Sequence, residues 1–119
     1  MPASLYDVYT TFEELQRHLV DVVNGVQDGK EIRNVALEQL EQLSRQLTEL
    51  LKGHELIPRY ILQSLSRAAS VLDASAAYLP TSSEQQKARA IAHAVQLTLS
   101  LIILGECHED RKVGVPRIR

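Results

Sequence analysis

The sequence predicts an all-α protein, namely an antiparallel up-down-up-down four-helix bundle with an extended C-terminal tail. In four separate stretches, apolar residues recur at alternating spacings of three and four, which is the period of one helix face. Segments containing glycine or proline separate these stretches. No stretch of convincing length alternates as a β-strand would. Long helices joined by short connections are typical of a four-helix bundle.

Length and composition favour one ordinary folded domain, which we expect to span residues 1–112. The chain has 119 residues, of which 45% are apolar and 24% charged, and its net charge of −2 implies no general affinity for polyanions. A single cysteine, Cys107, excludes a disulfide within the chain and suits a reducing compartment. The N-terminus lacks the basic and apolar regions of a secretion signal, so we expect a cytoplasmic location.

The first helix is predicted over residues 4–24. Ser4 suits the N-cap, and Gly25 is expected to end the helix in the left-handed conformation. A later start at Thr11 is an alternative, because Thr11 and Glu14 have the spacing of a capping box. The predicted core stripe of this helix is Leu5, Val8, Phe12, Leu15, Leu19 and Val22.

The second and third helices are predicted over residues 29–52 and 58–79. Asp28 suits the N-cap of the second helix, and Gly53 suits its stop. The third helix must stop before Pro80. It carries nine serines and alanines, whose small side chains let neighbouring helix axes approach closely. The stripe of the second helix is Ile32, Ala36, Leu40, Leu43, Leu47 and Leu50. That of the third is Ile61, Leu65, Ala68, Leu72 and Leu79.

The fourth helix, predicted over residues 83–110, is the most apolar, and the other three are expected to pack around it. One face carries Ala88, Ala92, Val95, Leu99 and Ile102. A second row carries Leu97, Leu101 and Leu104, with Ile103 beside it. Because a bundle normally covers one stripe of a helix, we expect a homodimer in which these last four residues form the interface. The alternatives are a deeper position within its own bundle and, least favoured, a membrane span, for which the apolar run is too short.

The tail is predicted to be extended over residues 113–119, because Gly114 and Pro116 do not fit a helix. Residues 110–119 carry a charge of +3, whereas residues 1–109 carry −5. We therefore expect the tail to contact the acidic bundle of its own or a neighbouring subunit, or another protein; the alternative is a terminus that lies in solvent. Its candidate contact residues are Arg111, Lys112, Pro116, Arg117, Ile118 and Arg119. Without a basic helix face or clustered aromatic residues, the tail does not predict nucleic-acid binding.

No set of residues in the sequence predicts catalysis, a metal site or a cofactor. None of the four histidines has an acidic residue three positions earlier, as the di-iron bundles require. Residues 106–110 contain several ligand types, but adjacent residues on a helix point in different directions, so one metal ion cannot collect them. Cys107 has no positioned base, and we expect it to be buried and inert. The protein is therefore predicted not to be an enzyme.

His93 raises one further possibility, phosphotransfer from an exposed histidine on a four-helix bundle. The alanines at positions 90, 92 and 94 leave its side chain accessible. The Lys-Gly pair that usually follows such a histidine is missing, since Gln96 and Leu97 stand there. Phosphotransfer at His93 is therefore the least favoured function.

Residues 105–118, with the sequence GECHEDRKVGVPRI, resemble a small family of proteobacterial helical proteins. No activity is attached to that family, so the resemblance implies none for this chain. The function that the residues favour is a non-catalytic protein-binding or regulatory bundle that self-associates through the fourth helix. The alternative is a bundle that binds or senses a small apolar ligand, with the small residues of the third helix lining a cavity.

Overall fold

The computed structural model describes residues 4–29 and 32–110, and within them the chain forms a four-helix bundle. The helices are α1 (Leu5–Gln27), α2 (Asn34–Leu51), α3 (Arg59–Ala76) and α4 (Ser82–Leu104), and a 3-10 turn follows at His108–Asp110. The predicted fold class is therefore confirmed for the helices. The predicted extended tail, residues 113–119, lies outside the described residues.

The helices are arranged around the bundle in the order α1, α2, α4, α3. Helix α1 packs against α2 and α3, and α4 packs against α3 and α2. The pairs α1 with α4 and α2 with α3 are therefore diagonal. Because α2 and α3 are consecutive in the chain, residues 52–58 must cross one end of the bundle.

Two contacts between residues of different helices show in which direction each helix runs. The rings of Phe12 and Tyr60 pack edge to face with centroids 5.5 Å apart, which places the starts of α1 and α3 side by side. The backbone N–H of Ile32 donates to Glu84 Oε2 at 3.5 Å, which places the residues before α2 beside the start of α4. One end of the bundle therefore collects the starts of α1 and α3 and the ends of α2 and α4.

The four predicted apolar stripes meet in one hydrophobic core. The largest fully buried apolar side chains are Phe12, Leu15, Leu47, Ile61, Leu65, Leu72 and Leu101. Leu5 belongs to the predicted stripe of α1 but is 47% exposed, because it is the first residue of the helix and lies beyond the core. The alanines Ala69 of α3 and Ala92 of α4 lie together where these two helices meet.

Helix α1 begins as predicted, but the prediction of its end was wrong. The Ser4 hydroxyl accepts from the Asp7 N–H at 3.2 Å, which confirms the N-cap. The helix then passes through Gly25 and ends at Gln27, and Gly29, with φ 73°, takes the left-handed conformation instead. Val26 is only 3% exposed, and its burial offsets the cost of about 1 kcal/mol for a helical glycine.

The other helix bounds also differ from those predicted. Helix α2 begins at Asn34 because Arg33 has an extended backbone, with φ −82° and ψ 142°. Helix α3 ends three residues early at Ala76, although Leu79 still reaches the core at 4% exposure. At the start of α4 the Thr81 hydroxyl accepts from the Glu84 N–H at 3.1 Å, which makes Thr81 the N-cap.

Candidate functional surfaces

The end of α4 is the largest departure from the sequence-based expectation, which continued this helix to residue 110. It ends at Leu104, where Gly105 takes the left-handed conformation with φ 74°. The N–H groups of Gly105 and Glu106 donate to the carbonyls of Ile102 and Leu101 at 3.1 and 2.9 Å. This hydrogen-bond pattern is the Schellman motif. The chain turns sharply after α4, and the 3-10 turn that follows packs against α2.

Two buried threonines hold this returning segment through His108. The His108 N–H donates to Thr48 Oγ1 at 3.3 Å, and His108 Nε2 lies 3.1 Å from Thr98 Oγ1. The Thr98 hydroxyl also lies 3.1 Å from the Ala94 carbonyl, four residues earlier on α4. Both threonines are at most 1% exposed, and their hydrogen bonds keep the buried polar groups paired.

Two surface ion pairs reinforce the same segment. Lys52 Nζ lies 2.8 Å from the Asp110 carboxylate, and Arg45 lies 3.4 Å from Glu109. Asp110 also accepts from the Cys107 N–H at 3.0 Å. The hydrogen bond from Lys52 and then that from Cys107 lower the pKa of Asp110 to about 2, and the same Asp110 contact raises the pKa of Lys52.

The lowered pKa of Asp110 makes this contribution to stability dependent on pH. The folded state holds the ionised carboxylate, so the stabilisation is complete above the ordinary aspartate pKa near 4 and disappears as the pH falls towards 2. We expect Asp110→Asn to lower the melting temperature by a constant amount between pH 5 and pH 9. As the pH falls through 2, the melting temperatures of variant and parent should converge.

Thermal unfolding followed by circular dichroism at several pH values checks this expectation. Glu49→Gln on α2 is the matched control, because Glu49 is exposed and forms no ion pair within 4 Å among the described residues. Melting temperatures that differ equally at pH 2 and pH 7 would show that the Asp110 carboxylate charge does not stabilise the fold.

The four interface candidates lie in different environments. Ile103 and Leu104 are exposed, at 65% and 42%, and Leu97 is half-buried. Leu101 is completely buried within its own chain, in the part of α4 to which the returning segment is bound. A second copy is therefore not needed to cover Leu101, and only the other three residues are available for an interface.

An open groove of about 420 Å³ lies between α1 and α3, and we call it the α1/α3 groove. Its apolar lining consists of Leu19, Val20, Val23, Tyr60, Ala68 and Val71. Its polar lining consists of Gln16, Asn24, Gln27, Gln63, Ser64 and Arg67. The Tyr60 hydroxyl donates to Gln16 Oε1 at 2.8 Å, which joins the start of α3 to the middle of α1.

Sequence reasoning did not find the α1/α3 groove, although a signal for it was present. Val20 and Val23 lie beside the core stripe of α1 rather than on it, so the bundle does not bury them fully. Apolar residues next to a complete stripe indicate that a second side of the helix faces something apolar. The sequence does not show which helix forms the other wall of the groove, because the neighbours of α1 are set by the tertiary structure.

His93 is exposed on α4, in a shallow groove that it shares with Ser70, Asp73 and Arg89. Phosphotransfer at this histidine stays a prediction. No three metal-ligating side chains of His, Cys, Asp or Glu come together within residues 4–29 and 32–110. Cys107 is 4% exposed, and its thiol lies 3.4 Å from Asp110 Oδ2.

Helix α4 is also long and apolar enough to cross a membrane, judged by length and composition, and 44% of its most apolar window is buried within the chain. Those criteria do not separate a membrane span from the core helix of a bundle. The tail contact candidates, namely Arg111, Lys112, Pro116, Arg117, Ile118 and Arg119, lie outside the described residues.

Comparisons with known proteins give no family assignment: no family model, no curated protein and no solved structure matches this chain.

Proposed function

We propose that this protein acts by binding protein rather than by catalysis, and that it self-associates through the outer face of α4. The observation that carries this proposal is the exposed apolar end of that helix. Ile103 is 65% exposed and Leu104 is 42% exposed, and both follow the half-buried Leu97. Adjacent exposed apolar residues of this size favour an interaction site.

The spacing of these residues suits an antiparallel contact between two copies of α4. Leu97 and Ile103 stand three residues before and three residues after Ser100, so they flank it on opposite sides of the helix face. A two-fold axis at Ser100 then places Leu97 of each copy over Ile103 of the partner subunit. Ser100 is small and half-buried, which lets the two helices approach closely at the crossing point.

Solution mass is the first test of self-association. Light scattering after size exclusion, over a dilution series, should give twice the 13.3 kDa mass of one chain. Ile103→Glu should place one negative charge from each subunit in the contact and raise the dimer Kd at least about thirtyfold. Val35→Glu is the matched control, because Val35 is 69% exposed on α2 and far from the proposed contact. A parent protein that is monomeric at every concentration would contradict self-association.

Cross-linking tests the position of the two-fold axis. In a Cys107→Ala background, Ser100→Cys should form a disulfide with its own copy in the partner subunit under mild oxidation. Asp21→Cys, an exposed position on α1, the helix diagonal to α4, should remain largely uncross-linked. If the protein is dimeric but Asp21→Cys cross-links as fast as Ser100→Cys, self-association stands and the α4 contact is wrong.

The α1/α3 groove favours a second candidate function, the binding of a small apolar ligand. Its volume of about 420 Å³ falls within the range of small-molecule sites. Half of its lining residues are apolar, and the serine and alanine of α3 that line it, Ser64 and Ala68, leave the space open.

A further inference from the structure

We propose that the α1/α3 groove binds a single-chain amphiphile with a carboxylate headgroup, its chain along the groove and its headgroup at Arg67. This inference rests on the second candidate function and names the chemical class of its ligand.

The shape and lining of the groove suit an unbranched apolar chain. Along α3 it extends from Tyr60 to Val71, which is about 16 Å of helix. Val20 and Tyr60 remain 49% and 53% exposed in the bundle, so a bound chain would remove their apolar surface from water. Leu19, at 3% exposure, forms part of the base.

The charge of the groove selects the headgroup. Arg67 is its one charged lining residue, and no aspartate or glutamate lines it. Among the residues that the structure describes, no carboxylate lies within 4 Å of Arg67. The side-chain amides of Asn24, Gln27 and Gln63 add further hydrogen-bond donors along the same groove. A carboxylate is the planar anion that a guanidinium binds with two parallel hydrogen bonds.

Titration calorimetry with two amphiphiles of equal chain length and opposite charge tests this assignment. Decanoate should bind about tenfold more tightly than decyltrimethylammonium, both below their micelle-forming concentrations and at physiological salt. Arg67→Glu should reverse that preference. Arg59→Glu makes the same charge change on the same helix outside the groove, and it should leave the preference intact.

A further variant locates the binding site. Val20→Gln should weaken binding of both amphiphiles, because it makes one apolar wall polar. Failure of both amphiphiles to bind would overturn the ligand-binding function together with this inference. Equal affinities of the parent protein for the two would leave ligand binding in place and overturn the assignment of a carboxylate to Arg67.

Discussion

Leu101→Glu is expected to destabilise the folded chain by about 4 kcal/mol or more, a large part of the total stability of a domain of this size. Leu101 is completely buried, so the substitution removes its packing and places a carboxylate where water does not reach. Urea unfolding followed by circular dichroism measures the loss of unfolding free energy. The comparison requires that the slope of this free energy against urea concentration is the same in parent and variant.

Leu104→Glu is the matched control for that experiment. Leu104 stands three residues later on the same helix but is 42% exposed. We therefore expect its substitution to lower the free energy of unfolding by less than about 1 kcal/mol. Equal stability of the two variants would mean that the chain itself does not cover Leu101. In that case a second copy would again be the better explanation for the whole row of Leu97, Leu101 and Leu104.

Phe12→Ala is expected to lower the free energy of unfolding by about 3–5 kcal/mol, the second largest effect among the substitutions proposed. Phe12 is the chain's single phenylalanine and is completely buried, so alanine leaves a cavity between α1 and α3. The variant also loses the edge-to-face contact with Tyr60, with centroids 5.5 Å apart. Urea unfolding measures the change in free energy.

Tyr60→Phe is the control that separates packing from hydrogen bonding at this position. It keeps the ring against Phe12 and removes only the hydroxyl that donates to Gln16, so we expect a loss of about 1 kcal/mol or less. If Phe12→Ala costs no more than Tyr60→Phe, then α1 and α3 are not held together by this aromatic pair.

These experiments separate the stability of the bundle from its interactions. Phe12 lies in the hydrophobic core and Leu101 is completely buried, whereas Ile103 and the α1/α3 groove lie on the surface. Variants of the first kind should unfold the protein, and those of the second kind should leave it folded but change its mass in solution or its affinity for an amphiphile. Circular dichroism of every surface variant checks that the fold is retained.

Much of the fold could be predicted from the sequence, because the apolar period of each helix is a local property. The spacings of three and four identified four helices, and Ser4 was identified as a cap from residue type alone. The stops were less predictable, because several glycines can each take the left-handed conformation. Helix α1 continues past Gly25 because Val26 is buried. Helix α4 ends at Gly105, whereas the sequence predicted that it would continue through the polar residues that follow.

The neighbours of each helix were decided only by the tertiary structure. A helix stripe shows which residues are buried but not which helix covers them, so the diagonal placement of α2 and α3 and the α1/α3 groove have no local signal. That the surplus apolar row on α4 needs a second cover stays a prediction for Leu97 and Leu104. Leu101, however, is completely buried within its own chain. It lies four residues before the turn at Gly105, after which His108 bonds to Thr48 and Thr98. Only the tertiary structure could show these contacts, because His108 and Thr48 are far apart in sequence.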